Sequence, residues 1–194
     1  MTAIGFEIPA DITRIVAGLT QFVRAEVVTR HEKHMALLDD PRQRYGPDGR
    51  YAPAVVDLIR EVRVASAAAG YFNLCAPISL GGLGQGYLAY YVAWEAINHL
   101  CGPHHWLGTF ALSHWAFGPS VVLEQLTETA RERALPGLVS GRQSMCFGLS
   151  EPGAGSDATM ITTRAVRKAT AGASAAGRCG RRTSRSRTGS WSSR

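Results

Sequence analysis

The chain has 194 residues, 45% of them hydrophobic, and this hydrophobic content excludes a wholly disordered protein. Its net charge of +6 comes from the C-terminal end. Residues 1–163 carry −3, whereas residues 164–194 carry +9 and contain no acid. The charge therefore gives no reason to expect nucleic-acid binding by residues 1–163. The sequence has no uncharged apolar run of about eighteen residues and no signal-peptide pattern, so it predicts no membrane span and favours a cytoplasmic protein.

The N-terminal part of the chain has the pattern of helices joined by loops. Apolar residues recur every three or four positions between residues 10 and 32, which predicts an amphipathic helix. Turn-forming residues predict a loop over residues 39–49. Pro53 stands where the first residue of a second helix is expected, and Gly70 is expected to end that helix. Residues 88–97 predict a third helix, which is apolar on most sides and is therefore expected to be buried.

More helix is expected after the third helix. Residues 106–126 predict one or two helices with an interruption near Gly118-Pro119. Residues 124–133 predict a charged helix that ends at Pro136-Gly137. Up to this point the pattern is helical throughout.

Two later segments have the composition of β-strands. They are residues 144–150 and residues 161–166, which are short and rich in branched or apolar residues. A switch from helices to strands marks a candidate domain boundary. The sequence therefore predicts a mainly α protein, with an N-terminal helical domain over residues 1–142 and the incomplete start of a β-domain over residues 143–168.

The last part of the chain, residues 169–194, has a different composition. Between residues 169 and 190 it contains no Leu, Ile, Val, Phe or Met. Such a segment cannot bury enough apolar surface to offset about 1–2 kcal/mol of conformational entropy per ordered residue. The sequence predicts that this basic tail is disordered.

The cysteines and histidines give no metal site. The four cysteines show neither pairing nor zinc-like spacing with histidine, so free thiols are expected. His31 and His34 share a helix face, but no neighbouring carboxylate pattern completes a site, and surface histidines are expected. Three tryptophans on apolar segments are expected to belong to the core rather than to a cofactor site: Trp94, Trp106 and Trp115.

A glycine-rich segment near residue 150 has the most chemical content. Gly153 and Gly155 flank a small alanine, and such a loop lets backbone N–H groups approach an anion closely. Ser150 and Ser156 add hydroxyl donors. On these residues alone, a ligand-binding loop and an ordinary tight turn both remain open.

The order of residues in this segment is more specific than its composition. The segment Leu149–Asp157 resembles the signature of the acyl-CoA dehydrogenase family, which is a hydrophobic residue, Ser or Thr, Glu, two further residues, a small residue, Gly, Ser or Thr, and Asp. Met160 departs from the family, which prefers a small residue there. The resemblance extends to the glycine-rich link Leu80–Gly84 and to the stretch Glu132–Gly141, and it covers about residues 10–168.

The resemblance implies the N-terminal helical domain of an acyl-CoA dehydrogenase, followed by the first strands of its β-barrel middle domain. It also implies that residues 147–156 form one wall of an FAD site, where the Leu149 amide and the Ser150 hydroxyl meet the isoalloxazine ring and tune its electronics. Ser156 is implied to contact both FAD and the acyl-CoA substrate. The implied cofactor-binding residues are Phe147, Leu149, Ser150, Gly155 and Ser156.

The family resemblance further implies a reaction of fatty acid metabolism. In the family a carboxylate removes the α-proton of an acyl-CoA while a hydride passes from the β-carbon to the flavin, and intact members are homo-oligomers. The catalytic base lies in a downstream helical domain, so no catalytic residue is assigned to this chain. Glu151 is implied to be structural, and Asp157 is expected to cap the residues that follow it. The chain is therefore predicted to be an inactive fragment of such an enzyme.

Beyond residue 168 the sequence no longer resembles the family. When the codons of the tail are read with a shift of two bases, they permit Asp-Gly, Trp and Thr-Asn in the order of the family pattern, which favours a frameshift over a functional basic tail. Two alternatives stay open. One is a non-catalytic binding module whose tail contacts nucleic acid or acidic surfaces, although the tail lacks interleaved aromatics. The other is a partner subunit of a full-length homologue.

Overall fold

A computed structural model of the chain describes residues 7–146, 148–167 and 172–175. The chain divides into two compact units between Met145 and Cys146. No helix within the described ranges is long and apolar enough to cross a membrane. The α-helices are α1 (Ala10–Phe22), α2 (Thr29–Lys33), α3 (Met35–Leu38), α4 (Pro41–Arg44), α5 (Pro53–Ala68), α6 (Gly86–Cys101) and α7 (Glu128–Val139). A π-helical turn covers Val23–Val28, and the 3-10 helices are Ile78–Leu80, Trp106–Phe110, Val121–Gln125 and Ala158–Met160.

The first helix is continuous from α1 through the π-helical turn to α2, which confirms the helix predicted over residues 10–32. Its buried side chains Leu19, Val23, Val27 and His31 are spaced by four residues. In an α-helix, four residues advance about 40° beyond a full turn, so an uninterrupted α-helix would rotate these side chains away from one another. The wider π-helical turn compensates, because it holds an extra residue, and the four side chains stay on one side.

Burial of this stripe builds the core of the first unit. α1 packs along α6, and the π-helical turn packs against α5, α6 and the 3-10 helix Trp106–Phe110. Full burial of one Leu or Val side chain contributes roughly 1.5–3 kcal/mol. The mainly α fold predicted from the sequence is confirmed.

The second helix, α5, begins and ends where the sequence predicts. Pro53 is its first residue, and Gly70 follows its end with a φ of 83°, a left-handed conformation that glycine adopts without strain. The Ser66 hydroxyl donates a hydrogen bond to Ala111 O. This contact ties α5 to the segment after the 3-10 helix Trp106–Phe110.

The third helix is longer than the predicted residues 88–97 and is only partly buried. α6 buries Val92 and Ile97 on one side, whereas Tyr87 and Tyr91 are 74% and 64% exposed on the other. The prediction of a buried helix is therefore wrong for this second face. Tyrosine tolerates exposure because its polar tip stays hydrated, so the apolar composition of the segment overstated its burial.

The segment 39–49, predicted as a loop, contains the short helix α4. The Asp40 side chain accepts a hydrogen bond from the Arg42 N–H at 2.9 Å, and Pro41 is the first helical residue. Asp followed by Pro is a helix-start signal. The prediction of a loop is wrong for these residues and correct for the turn that follows.

The helices predicted over residues 106–126 are only two short 3-10 helices. Between them the N–H groups of Phe117 and Gly118 both donate to His114 O and close a turn. Pro119 has no N–H group and follows directly, so the turn cannot continue as a helix. An apolar composition without a clear period was not sufficient to predict helix here.

The last helix of the first unit, α7, begins at Glu128 rather than at residue 124 and runs through Pro136. Thr127 caps its N-terminus through its side chain. A proline removes one donor and usually ends a helix, but only one further turn lies beyond Pro136, and the Ser140 N–H closes that turn by donating to Pro136 O at 3.2 Å. The predicted end at Pro136-Gly137 is therefore wrong.

The described part of the second unit contains two strands, β1 (Arg164–Arg167) and β2 (Gly172–Ala175), which pair antiparallel. The strand predicted over residues 161–166 is confirmed in its second half. The tail predicted as disordered lies mostly outside the described residues, and residues 172–175, its described part, belong to a strand instead. Pairing with β1 supplies the backbone hydrogen bonds that the tail's composition did not reveal.

The strand predicted over residues 144–150 is absent from the described residues 144–146 and 148–150. An extended segment becomes a strand only when a neighbouring strand offers a hydrogen-bonding ladder. Here the Met145 N–H donates instead to Phe117 O at 3.1 Å, in the turn before Pro119. Composition alone did not show that no described residue pairs with this segment as a neighbouring strand.

Leu19→Ala should destabilise the first unit by about 2–5 kcal/mol, because Leu19 is fully buried and its truncation removes contacts and leaves a cavity. Leu83→Ala makes the same chemical change at a side chain that is 49% exposed, and it should cost less than about 1 kcal/mol. Urea denaturation followed by far-ultraviolet circular dichroism measures both. Equal losses of stability would contradict the packing of α1.

Candidate functional site

Glu151 to Ala154 form a tight turn in the second unit. The Glu151 N–H donates to Ala154 O at 2.9 Å, and the Ala154 N–H donates to Glu151 O at 3.1 Å. Pro152 and Gly153 form the tip, where the fixed φ of proline suits the first position of a turn. The turn therefore brings the residues before it alongside those after it.

The Glu151 side chain is buried and fully hydrogen-bonded. One carboxylate oxygen accepts the Thr162 N–H at 2.8 Å and the Thr162 hydroxyl at 2.9 Å. The other accepts the Thr163 N–H at 3.0 Å and the Thr163 hydroxyl. A buried carboxylate is stable only with such partners, so this contact holds the turn against the segment that leads into β1.

These hydrogen bonds stabilise the charged form of Glu151. They lower the pKa of its carboxyl group to about 2, with the Thr163 hydroxyl as the largest cause and the Thr162 amide as the next. A carboxylate with so low a pKa is a weak base, and its oxygens are already occupied, so Glu151 is unsuited to removing a proton from a substrate. This geometry agrees with the structural role that the resemblance implies.

Asp157 caps the 3-10 helix Ala158–Met160, as the sequence predicts. Its carboxylate accepts the Thr159 N–H at 2.9 Å and also the Thr159 hydroxyl. These bonds lower the pKa of the Asp157 carboxyl group, with the hydroxyl as the larger cause. Both acidic residues of this segment thus hold the backbone in place.

The predicted cofactor-binding residues lie on the two arms of the turn. Leu149 and Ser150 precede it, and Gly155 and Ser156 follow it, so the structure brings these four residues to one turn. Phe147 lies outside the described residues. The role of all five in cofactor binding stays a prediction.

The two arms offer unused hydrogen-bond donors. Among the described residues, the Leu149 amide and the hydroxyls of Ser150 and Ser156 have no hydrogen-bond partner. A Cβ added at Gly153 or Gly155 would meet no atom within 4 Å, so the surface beside both residues is open. These residues fit a cofactor such as FAD, whose ring edge and phosphates accept hydrogen bonds.

Sequence reasoning missed Thr162 and Thr163, which hold the Glu151 carboxylate. The contact spans eleven and twelve positions of the chain, and no local spacing rule predicts such a separation. The available signal was the pair of consecutive threonines, which carry hydroxyl donors just before a predicted strand.

His31, expected on the surface, is buried with 1% of its area exposed. Its Nε2 lies 3.1 Å from Asp39 Oδ1, and its ring meets the rings of His105 and Trp106 edge-on. It follows Val27 by four positions, which was the signal that it belongs to the buried stripe. Within the described ranges, no group of three or more His, Cys, Asp or Glu side chains could hold a metal ion.

The three tryptophans expected in the core divide into two kinds. Trp94 and Trp106 pack against the core of the first unit, as predicted. Trp115 is 54% exposed, so the prediction is wrong for this residue. The cause is local, because Trp115 lies in the irregular segment between two 3-10 helices and not on a helix with a buried face.

The chain is similar to known proteins of one family. A family model described as "Acyl-CoA dehydrogenase, N-terminal domain" matches residues 13–142. Subunit CarC of the caffeyl-CoA reductase-Etf complex from Acetobacterium woodii is 31% identical over 107 residues, which cover 55% of this chain and 27% of that protein. The mitochondrial isovaleryl-CoA dehydrogenase of Arabidopsis thaliana is 37% identical over 103 residues, which cover 50% of this chain and 24% of that protein.

A third relative is the short-chain-specific acyl-CoA dehydrogenase of Clostridium acetobutylicum. It is 33% identical over 86 residues, which cover 44% of this chain and 22% of that protein. The chain therefore spans about a quarter of the length of the curated relatives it matches.

Glu151→Gln should release the turn from the two threonines. Glutamine has one acceptor oxygen and an NH₂ group that cannot accept hydrogen bonds, so the Thr162 and Thr163 amides should exchange with solvent faster. Asp157→Asn is the matched control, and it should affect only the Thr159 amide. Hydrogen exchange followed by NMR at each amide measures these effects. Unchanged protection of both threonines in Glu151→Gln would rule out the contact.

The same contact should depend on pH. The pKa of Glu151 is lowered from 4.5 to about 2, so its stabilisation is fully present above about pH 4.5 and is lost as the pH falls toward 2. The Thr162 amide should therefore keep a constant protection factor from neutral pH down to about pH 4.5 and lose protection below it. A protection factor that declines already between pH 7 and pH 5 would be the wrong outcome.

Proposed function

Because the chain belongs to the acyl-CoA dehydrogenase family, we propose that it is the N-terminal part of an FAD-dependent oxidoreductase that introduces an α,β double bond into an acyl-CoA thioester. The matched N-terminal domain ends at residue 142. The turn Glu151–Ala154 follows shortly afterwards, with unused donors on both of its arms. The proposal rests on this order along the sequence, in which the family's N-terminal domain is followed within ten residues by a turn with unused hydrogen-bond donors.

In this proposal residues 1–142 are the helical domain and residues 143–168 begin the β-domain. The Leu149 amide and the Ser150 hydroxyl would donate hydrogen bonds to the flavin ring. Ser156 would serve both the cofactor and the acyl-CoA. When bound, FAD would supply the hydride acceptor for the reaction.

The remaining cofactor contacts would come from Phe147 and Gly155. Gly155 has no side chain, and the open space beside its backbone would let the cofactor approach closely.

The base that removes the α-proton would come from a part of the enzyme downstream of this chain. Glu151 and Asp157 each follow a proposed flavin residue, but their oxygens accept hydrogen bonds from nearby threonines. The lowered pKa of each carboxyl group leaves it little affinity for a proton. The chain of 194 residues would accordingly be inactive by itself.

The segment after about residue 168 is, in our proposal, read in a shifted frame. The support is that codons shifted by two bases permit Asp-Gly, Trp and Thr-Asn in the order of the family pattern. Determining the nucleotide sequence tests this directly. An early stop codon in the shifted frame, or codons that do not encode those residues, would overturn it.

The frame-corrected protein would be a cytoplasmic homo-oligomer. Cell fractionation would test its location, and light scattering would test its oligomeric state.

A protein expressed from the frame-corrected gene should purify yellow and lose the visible absorbance of oxidised flavin when an acyl-CoA is added. Ser150→Ala should slow this flavin reduction by about tenfold, the equivalent of one lost hydrogen bond of about 1.4 kcal/mol. Ser144→Ala is the matched control, because Ser144 is also exposed but lies outside the proposed site. Stopped-flow absorbance measures both rates.

Three results would count against this proposal. A frame-corrected protein that binds no flavin would overturn the proposed function. An FAD-loaded, active chain of 194 residues would overturn its inactivity. Steeply salt-dependent DNA binding by the chain of 194 residues would instead favour a binding module with a basic tail.

A further inference from the structure

A small aromatic cleft lies on the first unit. It has a volume of about 90 Å³ and lies between the loop after α5, the first turns of α6 and the segment that joins the 3-10 helices Trp106–Phe110 and Val121–Gln125. A pocket for a drug-sized ligand has roughly 300–1,000 Å³. The cleft is therefore too small for a nucleotide cofactor or a long acyl chain, and its size suits one ring.

Three aromatic side chains line the cleft. Tyr87 and Tyr90 line it from α6, and Trp115 lines it from the opposite segment. Tyr87 and Trp115 are more than half exposed, so a ligand in solution can reach both side chains. Aromatic faces favour a second ring in an offset-stacked or edge-to-face arrangement.

The Trp115 side chain is held in position although it is exposed. Its ring lies 5.2 Å from the His114 ring. The His114 Nδ1 in turn accepts a hydrogen bond from the Ala116 N–H at 3.2 Å, and the Gly118 N–H donates to His114 O at 2.8 Å. A wall that is already ordered loses little conformational entropy when a ligand binds.

The cleft also contains a polar group without a partner. Ser120 lines it and is 7% exposed. Its hydroxyl is buried and has no hydrogen-bond partner among the described residues. A buried hydroxyl left unpaired costs free energy that a ligand hydroxyl or carbonyl would recover. None of the described residues that line the cleft carries a charge, so the cleft favours an uncharged ligand.

We propose that this cleft binds one flat, uncharged ring that carries a hydroxyl or carbonyl group. The ring stacks on Trp115 and Tyr87, and its polar substituent meets the Ser120 hydroxyl. The site uses none of the proposed flavin residues, and it does not depend on the proposed function.

Phenol is the probe that tests the proposal, with benzene and 1-hexanol as comparisons, on the ¹⁵N-labelled chain of 194 residues. Phenol should shift the NMR signal of the Trp115 indole N–H and bind at least about tenfold more tightly than 1-hexanol, because only a ring gains stacking energy. Ser120→Ala should remove the preference for phenol over benzene. Equal affinities for phenol and 1-hexanol would overturn the proposal.

Two wall variants and one control locate the site. Tyr87→Ala and Trp115→Ala should each weaken phenol binding by about tenfold. Both side chains are largely exposed, so these variants should keep the circular dichroism spectrum of the parent chain. Tyr91→Ala is the control, because Tyr91 lies one turn further along α6, is similarly exposed and does not line the cleft. An equal loss in the control, or none in Trp115→Ala, would overturn the assignment.

Discussion

The first unit depends on the burial of one apolar stripe along its first helix. Leu19, Val23 and Val27 are inaccessible to solvent, and α5 and α6 both pack on this helix. Hydrophobic burial is strong but non-directional, so it determines which faces meet without determining how each element ends. Capping residues and turns determine where each helix begins and ends, and they therefore set the helix lengths.

In the second unit, polar contacts rather than buried apolar side chains hold the described segments together. Its turn is small, and Ala154 is the only apolar side chain that the turn buries, so hydrophobic burial contributes little there. The carboxylates of Glu151 and Asp157 instead bind backbone amides and threonine hydroxyls. The hydroxyls of Ser150 and Ser156 take no part in these contacts. In the proposed function, structural and ligand-binding roles are thus divided among neighbouring residues of one short segment.

The elements that the sequence predicted correctly are those specified by local pattern. The first helix has a clear period, and α5 has Pro53 and Gly70 at its ends. Residues 106–126 are apolar without such a period, and residues 144–150 would need a second strand, so neither prediction held. For the candidate site, the order of residues in Leu149–Asp157 predicted its position in the sequence. The threonine contacts depend on tertiary structure, and local sequence does not encode them.

The π-helical turn Val23–Val28 holds one residue more than the α-helical turn it replaces, so it changes the angular position of every later side chain by about 100°. His31 is thereby directed inward, where its Nε2 lies beside Asp39. In a relative whose first helix is α-helical throughout, a different side chain would face that aspartate. Such a helix would keep the histidine facing inward only if it had one residue fewer before the histidine. In a pairwise alignment with this chain, such a relative would show a gap of one position between α1 and α2. The gap would therefore mark relatives that lack the π-helical turn.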